Sequence, residues 1–179
     1  MDGKQEQFMQ AYQSCHARFV RYCTALAFGK MDTEDLVQDV LLSAYQHFEG
    51  IQDKEQLIHY LIRAARNRSI SRWRRSAFQA DLLTAHTEKL RAQGLSPEVS
   101  LDIQLLYRTL DKLPRKQREA LMLFEISGFS MKEIAEIQQS TEGAIKTKIS
   151  RGRKRLRELM DDGPRPVAEL FKTVQSVML

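Results

Sequence analysis

The stretch TEGAIKTKISRGRKRLREL, from Thr141 to Leu159, constrains the fold most, because its apolar residues recur at the spacing of one helix face. At about 100° per residue, the apolar residues of this stretch and one glycine fall on one narrow face of a helix. This stripe comprises Ile145, Ile149, Gly152, Leu156, Leu159 and the following Met160. The opposite face comprises Lys146, Thr147, Ser150, Arg151 and Lys154. The pattern predicts a helix that packs by one face and exposes a polar, cationic face.

The charge on this helix indicates an anionic partner. Thr141–Arg157 holds seven basic residues and one acidic residue, Glu142. A helix that only needed solubility would interleave more Glu, because opposite charges at i,i+4 stabilise a helix and like charges repel. An anionic partner explains this face better than solvation alone, although a solvated surface helix stays open as the alternative.

The rest of the chain is helical by the same criterion, with no strand-like alternation and only eight Gly and four Pro in 179 residues. Predicted helices cover residues 5–28, 32–48, 54–75, 99–112, 115–127 and 131–138. We therefore expect an all-α chain of two small domains. Residues 1–80 form the first, 81–103 a linker with room for a short helix over 81–93, and 104–162 the second. The apolar spacing in the C-terminal extension, 163–179, suits a short docked helix.

Several chemistries are not expected. Cys15 and Cys23 are eight residues apart on a predicted helix, which places them about 12 Å apart, too far for a disulfide. Their spacing matches no zinc pattern, so we expect reduced thiols in a cytoplasmic protein without metal or cofactor. The N-terminus is polar and no apolar run approaches about 18 residues, which predicts neither signal peptide nor membrane insertion.

The charge distribution points to two partners. The chain carries a net charge of +5, with bases concentrated in 63–75 and 146–157 and acids in 32–39. Asp35 and Asp39 are like charges at i,i+4, which costs a few tenths of a kcal/mol in a helix. The helix dipole favours Asp35 in the first turn but not Asp39 beyond it. A basic partner surface accounts for both, and a solvated acidic face is the alternative.

Residues 129–153 have the layout of a helix-turn-helix, in which the second helix enters the major groove of DNA. Lys146 and Arg151 have the length and donors to bind guanine, while Thr147 and Ser150 can bond to phosphate or base. An ordinary helical hairpin remains the alternative.

These segments resemble a known family. Residues 110–159, LDKLPRKQREALMLFEISGFSMKEIAEIQQSTEGAIKTKISRGRKRLREL, resemble the −35-binding domain of bacterial sigma factors of the extracytoplasmic-function (ECF) group. DTEDLVQDVLLSAYQHF is similar to the family's polymerase-binding helix, and HYLIRAARNRSISRWRR resembles its −10-binding helix. In the helix-turn-helix turn the family often has Leu-Gly and an apolar residue, where this chain has Gln138, Gln139 and Ser140. Ala144 stands where Thr is common.

The resemblance implies three sets of site residues. The set for the coiled coil of the polymerase β′ clamp is Asp35, Gln38, Asp39 and Leu42. The set for the −10 element is Arg63, Arg66, Asn67, Ser71, Trp73, Arg74 and Arg75. The set for the −35 element is Lys146, Thr147, Lys148, Ser150, Arg151, Arg153 and Lys154. Asn67 matches a position that faces the non-template strand, and Trp73 is equally compatible with a place in the core.

The function implied is a non-enzymatic sigma factor that binds core RNA polymerase and directs promoter-specific initiation. The resemblance also implies an anti-sigma factor as a partner. A dimeric helix-turn-helix repressor is the alternative, but it leaves the acidic pair and the second basic helix unexplained. A small nuclease would need convergent metal-binding carboxylates near the basic helices, and Glu142 alone does not supply them.

Overall fold

The computed structural model describes residues 3–51, 53–73, 79–160, 163 and 165–177, and this part of the chain contains helices and turns but no strand. In chain order the α-helices are α1 (Gly3–Gln13), α2 (His16–Ala27), α3 (Thr33–Gln46), α4 (Lys54–Trp73), α5 (Ala80–Ala92), α6 (Pro97–Leu110), α7 (Arg115–Leu121), α8 (Met131–Gln138), α9 (Glu142–Leu159) and α10 (Val167–Val177). A short 3-10 helix, Phe48–Gly50, follows α3, and a π-helical turn, Met122–Ile126, extends α7. The all-α prediction is confirmed.

Helices α1–α4 form the N-terminal bundle. Helix α3 packs on α4, and α2 packs on both. Large side chains without solvent exposure fill the centre, namely Phe19, Tyr22, Leu36, Leu57, Leu61 and Ile62. Because apolar residues recur every three or four positions, α3 and α4 each keep one face in this core and turn the other outward.

The single helix expected over 5–28 is interrupted. Helix α1 ends at Gln13 and α2 begins at His16. At the break, Ser14 Oγ donates a hydrogen bond of 2.7 Å to the Ala11 carbonyl. Such side-chain bonds to the backbone compete with the helical pattern, and Cys15 takes non-helical dihedrals of φ −120°, ψ 0°.

Helices α6–α9 form the C-terminal bundle, in which α7 and α8 both pack against α9. Helix α10 packs against α6 and the π-helical turn. An ion pair of 3.0 Å between Arg165 and Asp102 links the segment just before α10 to α6. Helix α10 buries one apolar face, consisting of Val167, Leu170, Phe171 and Val174.

The segment expected as a linker is helical and packed. Helix α5 packs on α6, and His86 Nδ1 accepts a hydrogen bond of 2.8 Å from the Gly29 amide. Helix α6 starts at Pro97, two residues before the predicted start, because the Ser96 hydroxyl caps it by accepting from the Val99 amide.

Candidate nucleic-acid and polymerase interface

Helix α9 is held by a cap and by a close contact with α7. Thr141 Oγ1 accepts a hydrogen bond of 3.1 Å from the Ala144 amide, which begins the helix. Gly152 faces Leu121, and a Cβ placed on Gly152 would lie 2.9 Å from Leu121 Cδ1. The glycine that interrupts the basic run therefore lies at a close approach of α9 to α7.

The predicted division of α9 into two faces is confirmed, with one exception. The inward positions Ile145, Ile149, Gly152 and Leu156 are buried. Leu159 differs, since 36% of it is exposed in the last turn. The outward positions are all exposed, namely Lys146, Thr147, Ser150, Arg151 and Lys154.

Lys148 and Arg153 have partners within the protein that the sequence did not reveal. Lys148 Nζ donates a hydrogen bond of 2.9 Å to Gln138 Oε1, and burial together with nearby Lys116 lowers the pKa of Lys148. Arg153 forms an ion pair with Glu125. These two cations of the predicted −35 set are half-buried at the edge of the exposed face.

The turn before α9 has an unusual backbone. Helix α8 begins with a capping box, in which Ser130 Oγ accepts from the Glu133 amide and Glu133 Oε2 accepts from the Ser130 amide. It ends at Gln139, which adopts a left-handed conformation with φ 52°. The Ser140 amide then donates a hydrogen bond of 2.8 Å to the Ala135 carbonyl, which closes the turn. A glycine would be the usual residue at this φ.

Helix α3 presents its predicted polymerase-binding set on one side. The side chain of Asp32 caps the helix by accepting a hydrogen bond of 2.9 Å from the Asp35 amide. The set occupies positions i, i+3, i+4 and i+7 and all its members are exposed, namely Asp35, Gln38, Asp39 and Leu42. Leu42 is 60% exposed, the highest value among the exposed large apolar residues. The structure thus forms a two-carboxylate surface with an exposed apolar residue at its C-terminal end.

Helix α4 exposes only part of the predicted −10 set. Arg63, Asn67 and Ser71 are exposed at a spacing of four residues and lie on one face. Arg66 points instead toward the C-terminal bundle, where its Nη1 donates a hydrogen bond of 3.3 Å to Glu119 Oε1. The Trp73 side chain, Arg74 and Arg75 lie outside the described residues.

The described residues also bear on other chemistries. Among them, no group of three or more His, Cys, Asp or Glu residues is placed to hold a metal ion. Cys15 and Cys23 are free and buried, and burial raises the pKa of both thiols. No helix in the described ranges is long and apolar enough to span a membrane.

Comparisons with known proteins decide between the candidate families. Sigma-70 region 2 matches residues 11–79, and Sigma-70 region 4 matches residues 103–156. The ECF RNA polymerase sigma factor EcfG of Rhodopseudomonas palustris is 31% identical over 161 residues, which cover 89% of this chain and 86% of that protein. The chain belongs to the ECF sigma factors.

Other ECF sigma factors are similar over nearly their whole length. SigW of Bacillus subtilis is 29% identical over 172 residues, which cover 89% of this chain and 92% of SigW. The sigma factor RpoE of Bartonella quintana, solved in complex with the anti-sigma factor NepR, superposes with a TM-score of 0.63 at 29% identity. That match covers 89% of this chain and 99% of the RpoE chain.

This membership establishes the general function. An ECF sigma factor binds core RNA polymerase and promoter DNA and directs promoter-specific initiation of transcription. The dimeric repressor considered above is not favoured, because region 2 and region 4 occur together in one chain.

Proposed function

We propose that the three predicted surfaces divide the work of this sigma factor. Helix α9 contacts the −35 duplex, the exposed face of α4 contacts the −10 non-template strand, and α3 docks on the β′ clamp of core polymerase. The observation that carries the proposal is the exposed face of α9, where five polar and cationic side chains point away from the bundle. We infer that the chain performs no covalent chemistry and acts where the polymerase is, in the cytoplasm.

The −35 surface is tested by separating base contacts from phosphate contacts. Lys146→Ala and Arg151→Ala should each relax base preference at one or two positions, at about 1–3 kcal/mol. Lys154→Ala should weaken binding to duplexes of all sequences alike. It should also reduce the slope of log affinity against log salt concentration by about one. Titration of labelled duplexes at several salt concentrations measures both, and an identical uniform loss in all three variants would contradict base recognition.

Lys148 and Arg153 should behave differently from Lys154. Each already donates to an internal acceptor, Gln138 or Glu125, which restricts its position and leaves fewer donors for a phosphate. We therefore expect a smaller change in salt slope for Lys148→Ala than for Lys154→Ala in the same titration.

The polymerase surface is tested by charge reversal. The double variant Asp35→Lys/Asp39→Lys should lose co-elution with core polymerase while the full chain keeps its helical content and duplex affinity. The control is Glu6→Lys/Glu88→Lys, which makes the same change of net charge at exposed sites on α1 and α5. Equal co-elution of the two double variants would refute the docking surface.

The −10 surface is tested with the full chain bound to core polymerase. Asn67→Ala should reduce preference for a promoter-like non-template strand over a scrambled strand, because an unpaired base exposes edges that an amide can bond. It should leave the salt-dependent affinity intact, because Arg63 stays on the same face. An unchanged strand preference would contradict this assignment.

The relatives also suggest a regulatory partner. RpoE of Bartonella quintana was solved with an anti-sigma factor. We infer that this chain is held by an anti-sigma factor of its own, which affinity purification from cells with and without a stress stimulus would detect.

A further inference from the structure

A cavity lies between the C-terminal half of α9 and helix α10. Its volume is about 780 Å³, which is within the range of pockets that bind small molecules. The match to Sigma-70 region 4 ends at residue 156, and most of the residues that line the cavity come after that point. The functions assigned above use one residue of this lining, Arg153, and leave the cavity itself without a role.

The floor of the cavity is apolar. It consists of Met160, which ends α9, and of Val167 and Phe171, which lie four residues apart on one face of α10. All three side chains are buried, so the floor is held in place by the packing of the C-terminal bundle. A ligand with an apolar body would bury that body against this floor, which favours binding.

The rim of the cavity is cationic. Four basic side chains line it, against one carboxylate, Glu125, among the described residues of the lining. The four cations are Arg153, Arg157, Arg165 and Lys172. Because like charges that share one cavity repel one another, an anion bound between them would lower the free energy of the folded chain.

Two of these cations are held in position by carboxylates. Arg153 pairs with Glu125, and its guanidinium lies 5.4 Å from the centre of the Phe124 ring. Arg165 Nε donates a hydrogen bond of 3.0 Å to Asp102 Oδ2. A guanidinium has five N–H donors, so each arginine keeps donors for a ligand. Donors that are positioned before binding reduce the entropy lost when a ligand binds.

The other two cations differ from this pair. Arg157 and Lys172 are exposed, and they form no hydrogen bond or ion pair with the described residues. They come from different helices, α9 and α10, and both line the cavity. One anionic group in the cavity would therefore pair with a cation of each helix.

We propose that this cavity binds a small organic anion, a phosphate or carboxylate that carries an apolar body. The body packs on the floor, and the anionic group pairs with Arg157 and Lys172. Four cations disfavour a metal ion in the same place, and a neutral apolar molecule would leave the rim without counter-charge. The site goes beyond the promoter and polymerase surfaces proposed above and does not depend on them.

The first test is calorimetric titration of the full chain with octyl phosphate below its micelle concentration. Octyl phosphate has both features of the proposed ligand, whereas inorganic phosphate has only the anion and 1-octanol only the apolar body. We expect inorganic phosphate to bind at least about tenfold more weakly, because it buries no apolar surface. We expect the same of 1-octanol, because it forms no charge-assisted hydrogen bond. Octanoate in the same titration distinguishes a carboxylate from a phosphate ligand, and binding of either supports the site.

The second test removes the two cations without a partner. Arg157→Gln/Lys172→Gln changes exposed side chains only, and affinity for octyl phosphate should fall by at least about tenfold. The matched control is Arg91→Gln/Lys112→Gln, the same loss of charge at exposed positions that do not line the cavity. It should bind octyl phosphate like the wild type. Circular dichroism checks that both double variants keep their helical content.

Three results would overturn the proposal. Absence of binding of both octyl phosphate and octanoate to the wild type would show that the chain itself satisfies the rim. Equal affinity of the two double variants would place the ligand elsewhere. A lower salt slope of −35 duplex binding in Arg157→Gln/Lys172→Gln, without ligand binding to the wild type, would assign the rim to DNA phosphates instead. The proposed function is judged separately, by co-elution and promoter preference of the wild-type chain without ligand.

Discussion

Gly152→Ala tests the contact that positions α9. The added Cβ would lie 2.9 Å from Leu121 Cδ1 and 3.3 Å from Leu121 Cγ, both tighter than normal packing. Leu121 has no solvent exposure, so its side chain cannot rotate away without displacing the core. The change therefore adds one methyl group to a filled space.

Two effects of opposite sign set the magnitude. Replacing glycine by alanine inside a helix stabilises the folded state by about 1 kcal/mol. Overpacking of a filled core costs about 1–3 kcal/mol. We expect a net loss of about 1 kcal/mol in the free energy of unfolding, with weaker −35 duplex binding because α9 is displaced from α7.

The control is Gly143→Ala on the same helix, where an added Cβ meets no atom within 4 Å. That variant should be neutral or more stable by up to about 1 kcal/mol. Urea unfolding followed by circular dichroism measures both. Leu121→Val should cost less in the Gly152→Ala background than in the wild type, because it removes the clashing methyl group. Equal stability of the two alanine variants would refute the packing argument.

Three further predictions address the turn, the interface and the tail. Gln139→Gly should stabilise the chain by about 0.5–1 kcal/mol, since relief of the left-handed strain exceeds the entropy of glycine in the unfolded state; a lower melting temperature would contradict this. Burial acts to raise the pKa of Glu133, but hydrogen bonds from Arg18 and Ser130 outweigh it and lower the pKa. The stability Glu133 contributes is therefore complete above its unfolded pKa of about 4.3 and is lost as pH falls through the lower folded value; acid titration of Arg18→Met should show a weaker loss. Phe171→Ala should raise the amide hydrogen-exchange rate in α10 before that in α9, because it removes a buried side chain, 2% exposed, that anchors α10. The change should lower the local stability of α10 by up to about 3–5 kcal/mol. Simultaneous exchange in the two helices would show that α10 does not unfold separately.

Local features could be predicted from sequence because they depend on neighbours in the chain. The caps at Asp32 and Thr141 and the two faces of α9 follow from residues within a few positions of one another. The break after α1 differs, because the Ser14 hydroxyl bonds to the backbone there and no apolar pattern reveals such a competing bond.

Partners far apart in the chain could not be predicted in this way. Tyr22 and Glu119 are separated by 97 positions, and Arg66 and Glu119 by 53. Periodicity placed Arg66 on a cationic helix, and the family resemblance assigned it to DNA. Neither indicates that a buried carboxylate from α7 would lie opposite it, since only the packing of the two bundles brings them together.

The turn between α8 and α9 departs from the family pattern at Gln138 and Gln139, and the two positions differ in their structural consequences. Gln139 occupies a backbone conformation that suits glycine, and its exposed side chain makes no hydrogen bond or ion pair with the described residues that would offset the strain. Gln138 is different, because its amide bonds to Glu119 on one side and Lys148 on the other. An apolar residue there would remove a donor from a buried carboxylate and an acceptor from a half-buried ammonium, each a cost of about 1–3 kcal/mol. The two adjacent glutamines therefore differ in what constrains them: position 139 is locally replaceable, whereas position 138 is constrained by its contacts with α7 and α9.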